Sequence, residues 1–160
     1  MKSLSPYLLC EDASQYDLWL KLILGATLAL TFILGIVLLP VDIAGAWVCL
    51  GVTAFDGLLF HSILPRRLQI FDDRLKIVLG YPFALNIPLS TIKEAKEAPA
   101  RKAFIYWGVR FATSLESVVE IVRYRGLNIL VSPRHQEAFL ENLNQAVKNY
   151  HLDRTSLQKS

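Results

Sequence analysis

From Leu22 to Val41 the chain runs twenty residues without a charged side chain (LILGATLALTFILGIVLLPV), and no other feature restricts its fold as much. About 20 apolar residues rising ~1.5 Å each cover the ~30 Å hydrocarbon layer of a bilayer, so the run reads as a transmembrane helix. A cleaved signal peptide competes for the segment, because Ala44-Gly45-Ala46 resembles a small-residue cleavage site. Glu11, Asp12 and Asp17 argue against cleavage: they precede the run where a secretory signal carries positive charge.

Pro40-Val41-Asp42 breaks the run, and Ile43 to Leu64 is again apolar except for Asp56, His61 and small hydroxyls. A break this short holds no domain, so the spans must be antiparallel neighbours. A buried hairpin in a soluble protein would need a core covering both helices all round, which residues 66–160 are too few to build. Residues 1–65 carry two basic and five acidic side chains, whereas residues 66–160 carry fifteen and nine. The turn between the spans has no Lys or Arg, while Lys21 stands at the start of the first span and Arg66, Arg67, Arg74 and Lys76 follow the second. The positive-inside rule then puts both termini in the cytoplasm, with the chain integral to the plasma membrane or its equivalent.

Small residues recur at helical spacing on both spans: Thr27, Thr31 and Gly35 on the first, Gly45, Cys49, Thr53 and Gly57 on the second. Such stripes let helix backbones approach. A hairpin turning near residues 41 and 42 pairs positions whose numbers sum to about 84, setting Thr27 by Gly57, Thr31 by Thr53, and Gly35 by Cys49. Asp56 falls roughly 12 Å inside its span, where an ionised carboxylate costs about 2.5–3.5 kcal/mol and calls for a partner or a proton. Thr27 and Thr53 are the expected hydrogen-bond partners, which makes Asp56 structural before it is functional. His61 is expected to reach the headgroups.

Beyond Arg67 the period changes to two. RLQIFDDRLKIVLG reads as a β-hairpin turning at Asp72-Asp73, with Leu68, Ile70, Leu75, Ile77 and Leu79 on its faces. Further strands are expected around 83–89, 92–97, 104–112, 117–124 and 127–131, with a loop at Pro99-Ala100-Arg101-Lys102 and a turn at Arg125-Gly126. Ser132 and Pro133 then read as the cap and first residue of a helix of about 17 residues, with Phe139, Leu143, Ala146, Val147 and Tyr150 in one apolar stripe. The expected layout is a cytoplasmic tail over 1–17, a transmembrane α-hairpin over 18–65, an α+β module over 66–151, and a fraying tail over 152–160.

Phe71-Asp72-Asp73-Arg74-Leu75, Ile87-Pro88-Leu89 with Ile92, Trp107-Gly108-Val109-Arg110, and Leu130-Val131-Ser132-Pro133 with Phe139 and Leu143 together resemble, in order and spacing, the bacterial pleckstrin-homology-like (PH-like) domains carried behind a two-helix membrane hairpin. The resemblance implies a seven-stranded antiparallel barrel closed by a C-terminal helix. The photosystem I assembly factor family shares the layout of hairpin and domain without matching residues.

The sequence has no Gly-rich phosphate loop, nucleophile elbow or His-Glu pair on one helix face, and its two cysteines and three histidines have no metal-ligand spacing. A non-enzymatic chain without cofactors is therefore expected, with Asp72 and Asp73 as turn residues and His135 and His151 solvated. Arg66, Arg67, Arg74 and Lys76 form a candidate basic face toward anionic lipid. The resemblance places a headgroup pocket around the loop between the first two strands, where this chain has the acidic pair. Basic residues alternate with Glu94, Glu97, Glu116 and Glu120, which speaks against nucleic acid. Protein interaction or self-association ranks first, as a scaffold or as an assembly factor for a membrane complex, with Tyr106 and Trp107 as candidate contacts. A core position and an interface position for Trp107 are separated by its exposure.

Overall fold

The computed structural model of the 160-residue chain describes residues 6–99 and 107–157, the last five by their backbone alone. Strand β1 (Leu8–Ala13) precedes two 21-residue helices, α1 (Leu18–Leu38) and α2 (Ile43–Ile63), each long and apolar enough to cross a membrane. Only Gly35 in α1 and Ala46 in α2 are buried, the opposite of what a soluble core helix shows. The break at Pro40 ends α1, and the Asp42 carboxylate accepts the Gly45 N–H at 3.1 Å to open α2.

Strands β2 (Arg67–Phe71), β3 (Arg74–Val78) and β4 (Ala84–Pro88) follow, then a 3-10 turn (Leu89–Thr91), β5 (Ile92–Glu97), β6 (Val109–Phe111), β7 (Val119–Arg123), β8 (Ile129–Val131) and helix α3 (Gln136–Leu157). They form two four-stranded sheets, ordered β1-β2-β3-β4 and β5-β7-β8-β6, not a closed seven-stranded barrel. The first sheet is antiparallel throughout, whereas β6 runs parallel to β8. Three residues of β6 give it little ladder, and it takes the free edge of β8. The hairpin is as expected, with Leu68 opposite Ile77 and Ile70 opposite Leu75. These four side chains, with Ile87, Leu89, Ile92 and Ile121, meet Phe139 and Leu143 of α3 in one core. Asn144 fastens α3 to β5 by accepting the Ala95 N–H and donating to its carbonyl, each at 2.9 Å.

Residues 8–13 are a strand and not a tail, paired with β2 from Leu8 opposite Phe71 to Ala13 opposite Arg67. This strand also moves the start of α3. Ser14 bridges Pro133, the Gln15 N–H reaches the Ser132 carbonyl at 2.8 Å, and the Arg134 N–H reaches the Ala13 carbonyl at 2.9 Å. Residues 132–134 are thereby drawn into extended pairing, so Ser132 is no helix cap; its buried hydroxyl lies 3.2 Å from the Ser114 carbonyl. Helix α3 starts four residues later, at Gln136, and continues to Leu157 through most of the expected tail. Asp12, buried on β1, takes over at its start, accepting the His135 N–H at 2.9 Å and lying 3.0 Å from the ring Nδ1. His151 is half-buried, its ring edge-on to Tyr124 and Tyr150.

Candidate functional site

The small stripes close the helical hairpin on its turn side. Thr31 and Thr53 hydroxyls lie 2.9 Å apart, and a Cβ on Gly35 would stand 2.9 Å from the Leu50 side chain and 3.4 Å from Cys49 Cβ. Gly45 lies against the capping Asp42, with the Leu38 side chain at the end of α1 next to it. Toward the domain the stripes part. Nothing lies within 4 Å of a Cβ built on Gly57, and the Thr27 hydroxyl donates to its own helix at Ile23 (2.8 Å). A cleft of about 420 Å³ opens there, walled by Leu24 and Leu28 on one side and Phe60 and His61 on the other. The helix ends are held by separate elements of the domain, which spaces them.

Asp56 lies half-buried near this opening. Its two expected donors point elsewhere: Thr27 to Ile23, and Thr53 to Thr31 and the Cys49 carbonyl. Bonding one turn back to a carbonyl of its own helix is a local alternative open to any helical threonine, and Thr27 takes it in place of the cross-helix bond to Asp56.

Polar contacts fix the junction between helices and domain. The Asp17 N–H reaches the Thr113 carbonyl at 3.1 Å, and its carboxylate accepts the Leu115 N–H at 2.7 Å and the Trp19 indole N–H at 3.0 Å. Burial pushes the Asp17 carboxyl up, but hydrogen bonds from Ser114, Leu115 and Trp19 together outweigh it and leave the group below its ordinary value. The Tyr16 hydroxyl donates to the Pro65 carbonyl; burial raises its pKa against the opposing charge of Arg66. At the other helix, the Gly80 N–H reaches the Ser62 carbonyl at 3.2 Å, and a Cβ at Gly80 would come within 1.6 Å of the His61 carbonyl oxygen. Only glycine permits this approach, and it seats the β3–β4 loop on the last turn of α2.

The four basic candidates divide. Arg66, Arg67 and Lys76 line one cleft of about 400 Å³ at the junction. Arg66 turns its guanidinium onto the exposed His61, 2.9 Å from Nδ1. Arg67 pairs with Glu11 at 3.0 Å, an exposed contact of small worth. Arg74 stands at the opposite end of the β-hairpin, 2.9 Å from Asp73, whose hydrogen bond and charge push its pKa further up. Four rises of β2, about 13 Å, separate it from the level of Arg67. Strand direction explains the split: residues at either end of a hairpin are close in sequence only through the turn.

Trp107 is 96% exposed, so it is a surface residue and not part of the core. Its expected companion Tyr106 lies outside the described residues, as do Phe104 and the 100–102 part of the expected loop. The β3–β4 loop adds two aromatics that the periodicity did not single out, Tyr81 at 89% and Phe83 at 55% exposure. Their signal in the sequence was the Gly80-Tyr81-Pro82-Phe83 turn, with aromatics where a solvated turn has polar residues. Among the described residues no three His, Cys, Asp or Glu side chains gather as a metal site. Compared with protein-family models, with curated proteins and with solved structures, the chain matches none.

Proposed function

We propose that this chain is a non-enzymatic membrane-anchored module that presents Trp107 on the cytoplasmic side to a protein partner or to a second copy of itself. The nearly complete exposure of Trp107 carries the reading. A large apolar ring held in water is costly unless something covers it, and tryptophan is among the side chains most enriched at energetic centres of interfaces. Cytoplasmic placement rests on charge: residues 39–42 contain no Lys or Arg, while Lys21, Arg66 and Arg67 flank the other ends of α1 and α2. Both termini then lie on the cytoplasmic side, and the rigid junction keeps the domain at a fixed height above the bilayer. The resemblance in motif order to bacterial PH-like domains favours a scaffold over a catalyst, and the likeness in layout to the photosystem I assembly factor favours a role in assembling a membrane complex.

A photo-crosslinking amino acid in place of Trp107, in the full chain and in its native membrane, tests the proposal. A discrete adduct is expected, either of twice the chain's mass or with one other protein, and absent when the crosslinker replaces exposed Lys93 on β5, the edge of its sheet opposite β6. Identical smears from both positions would contradict it.

A further inference from the structure

Two clefts of different character meet at the base of the domain. One is the basic cleft of Arg66, Arg67 and Lys76, which Tyr81 and Phe83 flank. The other, about 440 Å³, is apolar; Phe55, Leu58, Leu59 and Ile63 of α2 wall one side, and Leu79 and Phe83 wall the other. Leu79 and Phe83 belong to both, so the basic cleft continues into the apolar one, where the hydroxyl of the lining Ser62 is turned to the Leu58 carbonyl of its own helix.

The depth of this pair follows from the junction. Gly80 is bonded to the carbonyl of Ser62, one residue before α2 ends, so the Tyr81–Phe83 loop stands level with the last turn of the span. That is the headgroup layer, where aromatic side chains concentrate. Below it the apolar cleft follows α2 from Ile63 back to Phe55, two turns into the hydrocarbon. Cations at the headgroup layer above an apolar groove complement a molecule with a phosphate at one end and an acyl chain at the other. Glu11 offsets one of the three cations, and the cleft remains net positive. The acidic turn at Asp72-Asp73 is at the far end of the β-hairpin, beyond the ~8 Å over which charges act at physiological salt.

The geometry points to a built site for one anionic glycerophospholipid of the surrounding leaflet, its phosphate between Arg67 and Lys76 with Arg66 beside them, and one acyl chain laid along α2 under Phe83. This site is on the β3–β4 loop and the end of α2, not on the β2–β3 turn. It does not depend on the partner of Trp107.

The test uses the full chain purified in mild detergent, with phosphatidylglycerol and phosphatidylcholine as probes and native mass spectrometry counting bound lipid. One phosphatidylglycerol per chain is expected to be retained in preference to phosphatidylcholine. Affinity should fall about fivefold for each charge removed by Arg66→Gln, Arg67→Gln and Lys76→Gln. Arg74→Gln with Arg125→Gln, two charges away from the cleft, should leave it unchanged. Leu59→Trp, which fills the groove from the helix side, should lower retention of both lipids without altering the preference, and glycerol phosphate without acyl chains should not compete. Equal retention of the two lipids, an equal loss in the Arg74 and Arg125 variant, or full competition by glycerol phosphate would each overturn the site.

Discussion

The helical hairpin and the β-domain hold comparable stretches of apolar sequence and treat them in opposite ways. In the domain Leu68, Leu75, Ile77 and Ile121 are sealed under α3; in the hairpin Leu30, Ile33, Val48 and Leu58 all face outward. Apolar surface is stable wherever water is absent, and on the proposed placement the two regions differ in what excludes it: other side chains in one, lipid in the other. The contacts that hold each region differ accordingly. The domain is held by dense side-chain packing. The hairpin is held by the Leu50 side chain seated on Gly35, a hydroxyl contact between Thr31 and Thr53, and the capped turn at Asp42.

Truncation should therefore separate the two regions most strongly. Ile121→Ala, at a fully buried position of β7, is expected to cost about 2–5 kcal/mol, while Leu30→Ala, facing lipid from α1, should leave stability almost unchanged. Denaturation of the reconstituted protein, followed by proteolysis of the domain, compares them; an equal loss at Leu30 would mean that α1 packs against protein. Charge should separate the regions the other way. Leu30→Lys places an ammonium near the middle of α1, at about 3 kcal/mol on insertion scales, and should reduce the membrane-integrated fraction. Tyr124→Lys, at an exposed residue just beyond β7, should not alter integration.

The boundary between the regions is the next place to probe. Gly80→Ala forces its methyl group against the His61 carbonyl, so the β3–β4 loop must lift from α2, at a cost of about 1–3 kcal/mol. Faster proteolysis within residues 79–84 at unchanged membrane integration would record the lift, and unchanged cleavage would show that the loop does not bear on α2.

The smallest expected effect is a pH dependence. Asp17 has its carboxyl lowered from the ordinary 3.8, so its contribution to the junction is complete above that value and is lost as pH falls through the lower, folded one. Trp19 emission, read in a background with Trp47→Phe and Trp107→Phe, should report the step, because the indole N–H donates to Asp17. Asp17→Asn should flatten it; an unaltered step would assign it to another carboxylate.

How far the sequence revealed this arrangement depends on the range of the forces involved. The two long apolar helices and the β2–β3 hairpin depend on local patterns, hydropathy and alternation, and both are present, α1 lying three to four residues earlier than the uncharged run. The Thr31–Thr53 contact was legible because a short turn fixes the register of two helices. The Thr27–Gly57 contact was not, since it depends on how the domain spaces the helix ends. Strand β1 was hidden for a similar reason. Its inward position 12 is an aspartate, which reads as a solvated tail until the His135 N–H that it accepts is known. That same strand draws Ser132 away from its expected capping role. The clefts flanked by Phe83 were invisible because residues 55 and 83 become neighbours only through the approach of Gly80 to α2.

The proposed topology is a hairpin that crosses the membrane twice and returns the domain to its starting side. In a chain lacking Cys10 and Cys49, single cysteines at Asp42 and at Ser62 can be labelled from outside intact cells with an impermeant maleimide. Rapid labelling is expected at position 42, and labelling at position 62 only after the membrane is opened. Labelling of position 62 in intact cells, or protection of position 42 until lysis, would contradict it.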